Sequence, residues 1–240
     1  MNTSSKFFGY ASAFGLALAL ALAPSQAEAK KGFYFGLGLG YGSVSGDTGI
    51  GIENAFRDVD SMVANADLDE LFRSDAGSGF AMNFRLGYNI LGVVALEAEF
   101  GGSGNNITDG KKIEGQAGIF MLVKVFPAQF FKGLEDRFWD PYIYAGGGIY
   151  FMGYNPDAHP PFAMANDGRV WWPSTAVKYG LGCDFYVSPF LSLGVDLAFI
   201  NGFHSEYHYD EDQDPLKAKD TASSFVFQPT VKATFHFLTQ

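Results

Sequence analysis

The residues best suited to chemistry lie in an acidic segment that reads HSEYHYDEDQD from residue 204 to residue 214. In an extended strand alternate side chains share a face, and one face here would carry His204, Glu206, His208 and Asp210, a set that could hold a divalent metal. Because oxygen-rich clusters suit calcium or magnesium, we expect weak binding, in about the millimolar range, at Glu206, Asp210, Glu211, Asp212 and Asp214. An earlier acidic stretch could contribute Asp67, Asp69 and Glu70. The alternative interpretation is a solvated polar loop.

Two other patterns invite a catalytic or cofactor-binding interpretation. Glu97 and Glu99 point the same way on one predicted strand and could form a carboxylate pair, but nothing in the sequence positions a substrate beside them. Glycines alternate from Gly36 to Gly42, yet a dinucleotide-binding loop needs a strand before the glycines and a helix after them. Here the glycines lie within a strand. We therefore expect no catalytic residue, and no cofactor beyond weakly bound calcium or magnesium.

The element that must position these residues is the β-strand, most clearly between Thr175 and Ile200. Bulky apolar side chains alternate there with small or charged ones, on both sides of a turn at Ser188-Pro189. Two such runs across a short turn predict an antiparallel hairpin. The pattern recurs and predicts eight strands, at about residues 33–44, 78–90, 93–102, 113–126, 141–154, 175–187, 191–200 and 223–237. A glycine run, 146–148, leaves the facing of the fifth strand open.

Side-chain volume decides which face of these strands points outward. An eight-stranded barrel has an interior just wide enough for side chains to fill it, and the bulky set of every strand is too large for that space. The small and charged face therefore lines the lumen, and the bulky face needs an apolar solvent. This pattern predicts an all-β fold, an eight-stranded antiparallel transmembrane up-and-down β-barrel with long extracellular loops.

The predicted lumen carries charged residues of both signs. Because buried charges must be paired to be tolerated, four cations and five anions indicate an ion-pair network that fills the bore. A proton or ion path is the alternative interpretation. The predicted network consists of Arg85, Glu97, Glu99, Glu114, Lys124, Lys178, Asp184, Asp196 and Lys232.

The connections hold the net charge. Residues 46–77 carry a net charge of −6 and residues 202–222 a net charge of −4, which together equal the −10 of the whole chain. Within the first of these, residues 53–73 have a partial helical period that suggests a short helix at the barrel mouth. The connection 127–139 is longer than a tight turn, and its aromatic residues, Phe130, Phe131, Phe138 and Trp139, suit a membrane interface.

The N-terminus reads as a targeting segment. Lys6, an apolar run from Ala11 to Ala23 and an A-x-A site at 27–29 predict a secretory signal peptide over residues 1–29, with the barrel domain over 30–240. The single cysteine, Cys183, excludes an internal disulfide and is expected on the outer face. With no basic patch in the sequence, nucleic acid is not an expected partner.

The predicted barrel resembles the small eight-stranded outer-membrane barrels typified by the OmpA membrane domain, OmpX and OmpW. The last strand, ending in Phe237, is similar to the C-terminal signal that such proteins present to the assembly machinery, although Leu238, Thr239 and Gln240 follow it. The resemblance implies the outer membrane of a Gram-negative-type bacterium. It also implies outer-membrane lipid, lipopolysaccharide and the assembly machinery as partners.

Three functions remain open at this point. We expect a non-enzymatic barrel with a largely plugged lumen, whose acidic extracellular loops interact with ions or a surface partner. An OmpW-like conduit for small apolar molecules is the first alternative, because Phe120 and Leu122 fall on the lumenal face. A lipid-modifying enzyme resembling the lipid A deacylases is the second; those barrels need a His and a Ser on one face, whereas His204 and Ser205 are adjacent and point opposite ways.

Overall fold

The computed structural model describes residues 31–45, 78–90, 92–104, 113–131, 138–154, 170–207 and 216–237. These residues form eight strands and one short 3₁₀ helix. The strands are β1 Gly32–Ser45, β2 Ser78–Ile90, β3 Val94–Gly104, β4 Ile113–Val125, β5 Trp139–Tyr154, β6 Val170–Ser188, β7 Leu191–Tyr207 and β8 Leu216–His236. The 3₁₀ helix, Pro127–Phe130, lies between β4 and β5.

Each strand pairs antiparallel with the next one in sequence, and β8 pairs with β1, so the sheet closes into a barrel. Two short turns, at Gly92-Val93 and Pro189-Phe190, lie at one end, which we call the turn end; the opposite end is the loop end. Gly92 has a φ of 82°, a left-handed conformation that glycine adopts without strain. No helix in the described part of the chain is long and apolar enough to cross a bilayer.

The period-two alternation is realised as two faces of the barrel wall. In β2, Phe80 is 60% exposed on the outside, whereas its neighbour Ala81 is fully buried. The predicted closed barrel and the assignment of its faces are confirmed. The facing of β5 is now settled as well, because Tyr142, Tyr144 and Tyr150 are buried and the residues between them, such as Ile143 and Ile149, are exposed.

The predicted strand ends are wrong at the loop end of β6, β7 and β8. The strand prediction ended at Ile200 and placed residues 202–222 in a loop, but β7 continues to Tyr207 and β8 begins at Leu216. The alternation simply continues there, with Gly202 and His204 buried and Phe203 exposed between them. Polar residues hid this extension, because a strand that lines a polar lumen has no need of apolar residues on its inner face.

Several predictions fall outside the described residues. These are the signal peptide, the helix proposed within residues 53–73 and most of the acidic connection that now spans residues 208–215. Cys183 lies where it was expected, on the outer face, and is partly exposed. The connection between β4 and β5 is not a plain turn, because its 3₁₀ helix begins at Pro127 and buries Ala128.

Candidate functional site

An ion-pair network occupies the lumen, and Arg85 lies at its centre. The guanidinium of Arg85 is 2.6 Å from Asp196 Oδ2, 3.0 Å from Glu99 Oε2 and 3.7 Å from Glu97 Oε1. Glu99 is the direct neighbour of Arg85 across the β2–β3 ladder, whereas Asp196 is on β7, so the Arg85 side chain reaches across the bore. All four side chains are at most 2% exposed.

Three lysines complete the network around Arg85. Lys124 Nζ lies 2.7 Å from Glu97 Oε2, and Lys232 Nζ lies 2.9 Å from Asp184 Oδ1. Lys178 on β6 pairs with Glu99 on β3, a second contact that crosses the bore. Each charge of this network therefore has at least one partner of the opposite sign, as burial in a medium of low dielectric constant requires.

Tyrosines from β1 and β5 bind the same carboxylates. Tyr142 and Tyr144 donate hydrogen bonds of 3.0 and 3.1 Å to the two oxygens of Asp196, and Tyr34 donates one of 2.8 Å to Glu97. The Tyr142 ring also contacts two ammonium groups, with Lys124 Nζ 4.5 Å and Lys232 Nζ 4.3 Å from its centroid. Such cation–π contacts strengthen when they are desolvated.

Eight of the nine residues predicted for this network are buried in the lumen and joined by these contacts. The ninth, Glu114, belongs to β4, but only its backbone is described. Sequence reasoning missed the tyrosines and also Asp140, a fully buried carboxylate on β5. A signal for them existed, because Asp140, Tyr142 and Tyr144 alternate with Pro141, Ile143 and Ala145.

Above the charges, towards the loop end, the lumen becomes apolar. The Phe120 ring lies over Gly118 and Gly148, with Lys178 Nζ 5.4 Å from its centroid. Next to it is a cavity of about 10 Å³, lined by Glu99, Gly101, Gly102, Gln116, Gly118, Phe120, Tyr150, Lys178, Ile200 and Gln228. A cavity of that size has room for about one water molecule, so a substrate cannot occupy it without movement of the wall.

Neutral hydrogen bonds fill the lumen nearer the loop end. His204 Nε2 lies 2.8 Å from Ser224 Oγ, and both side chains are buried. Gln116 accepts a hydrogen bond from Tyr150 and donates one of 2.7 Å to Ser103. The predicted solvated loop is therefore wrong for His204. The pairing of His204 with Ser224 on β8, rather than with Ser205, could not be read from spacing along one strand.

The predicted calcium ligands are not brought together among the described residues. Only the backbone of Glu206 is described, whereas Asp210, Glu211, Asp212 and Asp214 lie outside the described residues, as do Asp67, Asp69 and Glu70. Where the structure does describe side chains, no group of three or more His, Cys, Asp or Glu is placed to hold a metal. The metal site stays a prediction.

A closed antiparallel barrel with an apolar outer face and a polar, ion-paired interior defines an integral outer-membrane β-barrel protein. The chain belongs to the family of the outer membrane protein beta-barrel domain, whose model matches residues 12–235. Its location is accordingly the outer membrane of a Gram-negative bacterium. In such barrels the short turns are periplasmic and the long loops extracellular, which places the turn end on the periplasmic side.

The chain is similar to several solved structures of outer-membrane proteins. Neisserial surface protein A is 12% identical, with 86% of this chain and 98% of that chain covered and a TM-score of 0.54. OprG from Pseudomonas aeruginosa is 11% identical, over 87% of this chain and 98% of that chain, with a TM-score of 0.46. Ail from Yersinia pestis is 12% identical, over 86% of this chain and 99% of that chain, with a TM-score of 0.42. No curated protein matches the chain.

Proposed function

We propose that the protein is a non-enzymatic outer-membrane barrel whose lumen is closed and whose acidic extracellular connections interact with ions or with a surface partner. The observation that carries the proposal is the filled bore: ion pairs occupy its centre, and the cavity beside Phe120 has a volume of only about 10 Å³. Because a filled bore leaves no room for a ligand, we assign binding to the connections. Loops on a rigid scaffold commonly carry binding.

The distribution of charge supports the second half of this proposal. Residues 208–215, between the described ends of β7 and β8, carry four acids and no base, and residues 46–77 carry a net charge of −6. Crowded carboxylates repel one another and favour a bound divalent cation. The outer leaflet of this membrane is itself anionic and bridged by such cations, so these segments would either bind divalent ions or repel other anions.

Conductance in planar lipid bilayers tests the closed lumen. The wild-type protein should show no steady channel, and Phe120→Ala, which removes the ring over Gly118 and Gly148, should raise the conductance. Ile119→Ala is the matched control, because Ile119 precedes Phe120 in β4 but is 51% exposed on the outer face. Steady, large currents through the wild-type protein would reject the closed lumen.

A conduit for small apolar molecules is the second candidate. Five apolar lumenal side chains, Phe120, Leu122, Met152, Ile200 and Val226, are buried together with small residues, and they favour it. Uptake of an apolar fluorescent solute into vesicles that contain the barrel tests this function. Uptake well above that of empty vesicles, abolished by Ala176→Trp in the lumen, would replace the closed barrel with the conduit.

A further inference from the structure

The connection between β4 and β5 has two unlike sides, and the first side packs against lumenal side chains at the turn end. The side-chain amide of Gln129 donates to both carboxylate oxygens of Asp140, at 3.0 Å each, and Asp140 is fully buried inside the barrel. Ala128 is buried as well, and Phe126 packs edge-on against Tyr142 with ring centroids 6.0 Å apart. We call the segment from Phe126 to Phe131 the cap.

The other side of the cap presents two adjacent phenylalanines. Phe130 is 63% exposed and Phe131 is 61% exposed. Phe130 is the last residue of the 3₁₀ helix, and Phe131 is its C-cap residue. Its hydrogen bonds include Gln129 N–H to Phe126 O at 3.1 Å and Phe131 N–H to Ala128 O at 3.2 Å. The two rings are therefore presented by an ordered backbone whose inner side is fixed to Asp140.

The apolar outer surface of the barrel continues up to this segment. Phe138, at the other end of the connection, accepts a hydrogen bond of 2.7 Å from Tyr186 N–H, and its ring lies 6.4 Å from that of Phe185 on the outer face. Phe190 in the β6–β7 turn is exposed at the same end. The exposed side of the cap thus borders the surface that the family places in lipid. Burial of the two phenyl rings in the bilayer would be more favourable than their exposure to water.

We propose that the cap is also a membrane anchor, with Phe130 and Phe131 inserted into the phospholipid leaflet at the turn end. One short segment would then contact the lumen through Gln129 and fix the depth of the barrel through its two rings. In outer-membrane barrels, girdles of aromatic side chains flank the apolar band at both interfaces. The proposal concerns the periplasmic side and is independent of the function proposed for the extracellular connections.

Spin labelling in phospholipid vesicles tests the anchor. In a Cys183→Ala background, nitroxides are attached at residue 130 or 131 and their collision rates with oxygen and with a water-soluble nickel chelate are compared. Labels at Val123, exposed on the outer face of β4, and at Lys31, exposed at the turn end, are the lipid and water references. We expect the labels at 130 and 131 to favour oxygen, as at Val123, with the opposite preference at Lys31.

Preference for the nickel chelate at both cap positions, equal to that at Lys31, would overturn the proposal. A second measurement needs no substitution and covers the case in which a labelled variant fails to fold. In the wild-type protein in lipid nanodiscs, the ring protons of Phe130 and Phe131 should show nuclear Overhauser contacts to lipid acyl chains. Contacts to water alone at both rings would likewise reject the anchor.

Discussion

At the scale of single residues, the lumenal glycines differ in what they tolerate. A Cβ atom at Gly36 would meet ordinary van der Waals contacts, 3.4 Å from Thr234 Oγ1 and 3.8 Å from Arg85 Cβ. At Gly148 it would collide with the carbonyl oxygen of Ile119, a backbone atom that cannot move without shifting β4. The period-two alternation treats these two positions as equivalent. They differ because the neighbouring strand leaves room for a Cβ atom at Gly36 but not at Gly148.

We expect Gly36→Ala to be neutral or to stabilise by up to about 1 kcal/mol, because the unfolded chain loses freedom while the folded wall accepts a methyl group. Gly148→Ala should destabilise by about 1–3 kcal/mol through overpacking. Urea unfolding in phospholipid vesicles, followed by tryptophan fluorescence, measures both. Gly194 is also a glycine on the lumenal face, but it would not tolerate alanine as Gly36 does, because a Cβ there would lie 2.8 Å from Cys183 O and 2.9 Å from Lys232 Cε. Equal losses of unfolding free energy in Gly36→Ala and Gly148→Ala would contradict the difference between these two glycines.

A second prediction at this scale concerns depth on the lipid face. Arginine facing lipid costs about 2–4 kcal/mol at the bilayer midplane and about 0–1 kcal/mol near the interfaces. Leu193 is the third residue of β7, counted from the turn end, and Leu197 the seventh, so Leu197→Arg should be the more harmful change. The fraction that refolds into vesicles, read from heat-modifiable migration, checks this. Equal yields would show that Leu197 is not deeper than Leu193.

At the scale of elements, the lumenal charges act as braces between strands that are not neighbours. Arg85 joins β2 to β7, and Lys178 joins β6 to β3. Tyr142 and Tyr144 connect β5 to β7, and Lys232 connects β8 to β6. Backbone ladders hold only adjacent strands together, so these side chains supply contacts across the bore that the sheet itself lacks.

Removal of the central brace should be costly. Arg85→Met leaves Glu99 and Asp196 buried without their guanidinium partner, and breaking a buried pair from one side costs about 3–5 kcal/mol. Urea unfolding in vesicles measures the loss, and Lys31→Met, which removes an exposed charge, should stay within about 0.5 kcal/mol.

A double-mutant cycle separates the brace from general disruption of the lumen. If Arg85 and Asp196 interact as the structure indicates, Arg85→Met combined with Asp196→Asn should cost less than the sum of the two single changes. Strict additivity in the cycle would mean that the contact between them contributes nothing to stability.

These cross-bore contacts also show which features of the lumen could be predicted from the sequence and which could not. Period-two alternation predicted which residues enter the lumen, including Arg85, Glu99 and Lys178, because facing is a local property of a strand. It could not predict that Lys178 pairs with Glu99, because the partner depends on strand tilt and closure. His204 was missed for a different reason: a polar residue near a strand end resembles a loop residue unless its partner, here Ser224, is known.

At the scale of the whole molecule, the charges fall into two groups, one in the lumen and one in the connections. Within the described barrel, four lumenal cations pair with the carboxylates of Glu97, Glu99, Asp184 and Asp196, and the buried carboxylate of Asp140 accepts hydrogen bonds from Gln129. The net charge of −10 of the chain therefore arises almost entirely in the connections at the loop end. The lumenal charges are paired within the wall, and the excess acids belong to the segments for which we propose binding of ions or of a surface partner.

Replacement of residues 206–214 by Gly and Ser, which changes only the last two residues of β7, should leave folding intact and abolish the heat of calcium binding. A barrel takes its stability from its ladder and its lipid face, while weak, roughly millimolar calcium binding needs the carboxylates. Calorimetry with calcium on both proteins, each checked for heat-modifiable migration, decides the matter. Equal heats would reject the site, and a variant that cannot fold would show that this segment is structural.

The reach of the braces has a consequence for the order in which the barrel assembles. Arg85 and Asp196 are 111 residues apart in the sequence, and Lys178 and Glu99 are 79 apart. Contacts between such distant residues form late, since the chain must first be brought together. Until the wall curves enough to join them, each of these charges keeps its hydration shell. Closure is therefore a dehydration step, in which water leaves the bore as the ion pairs form.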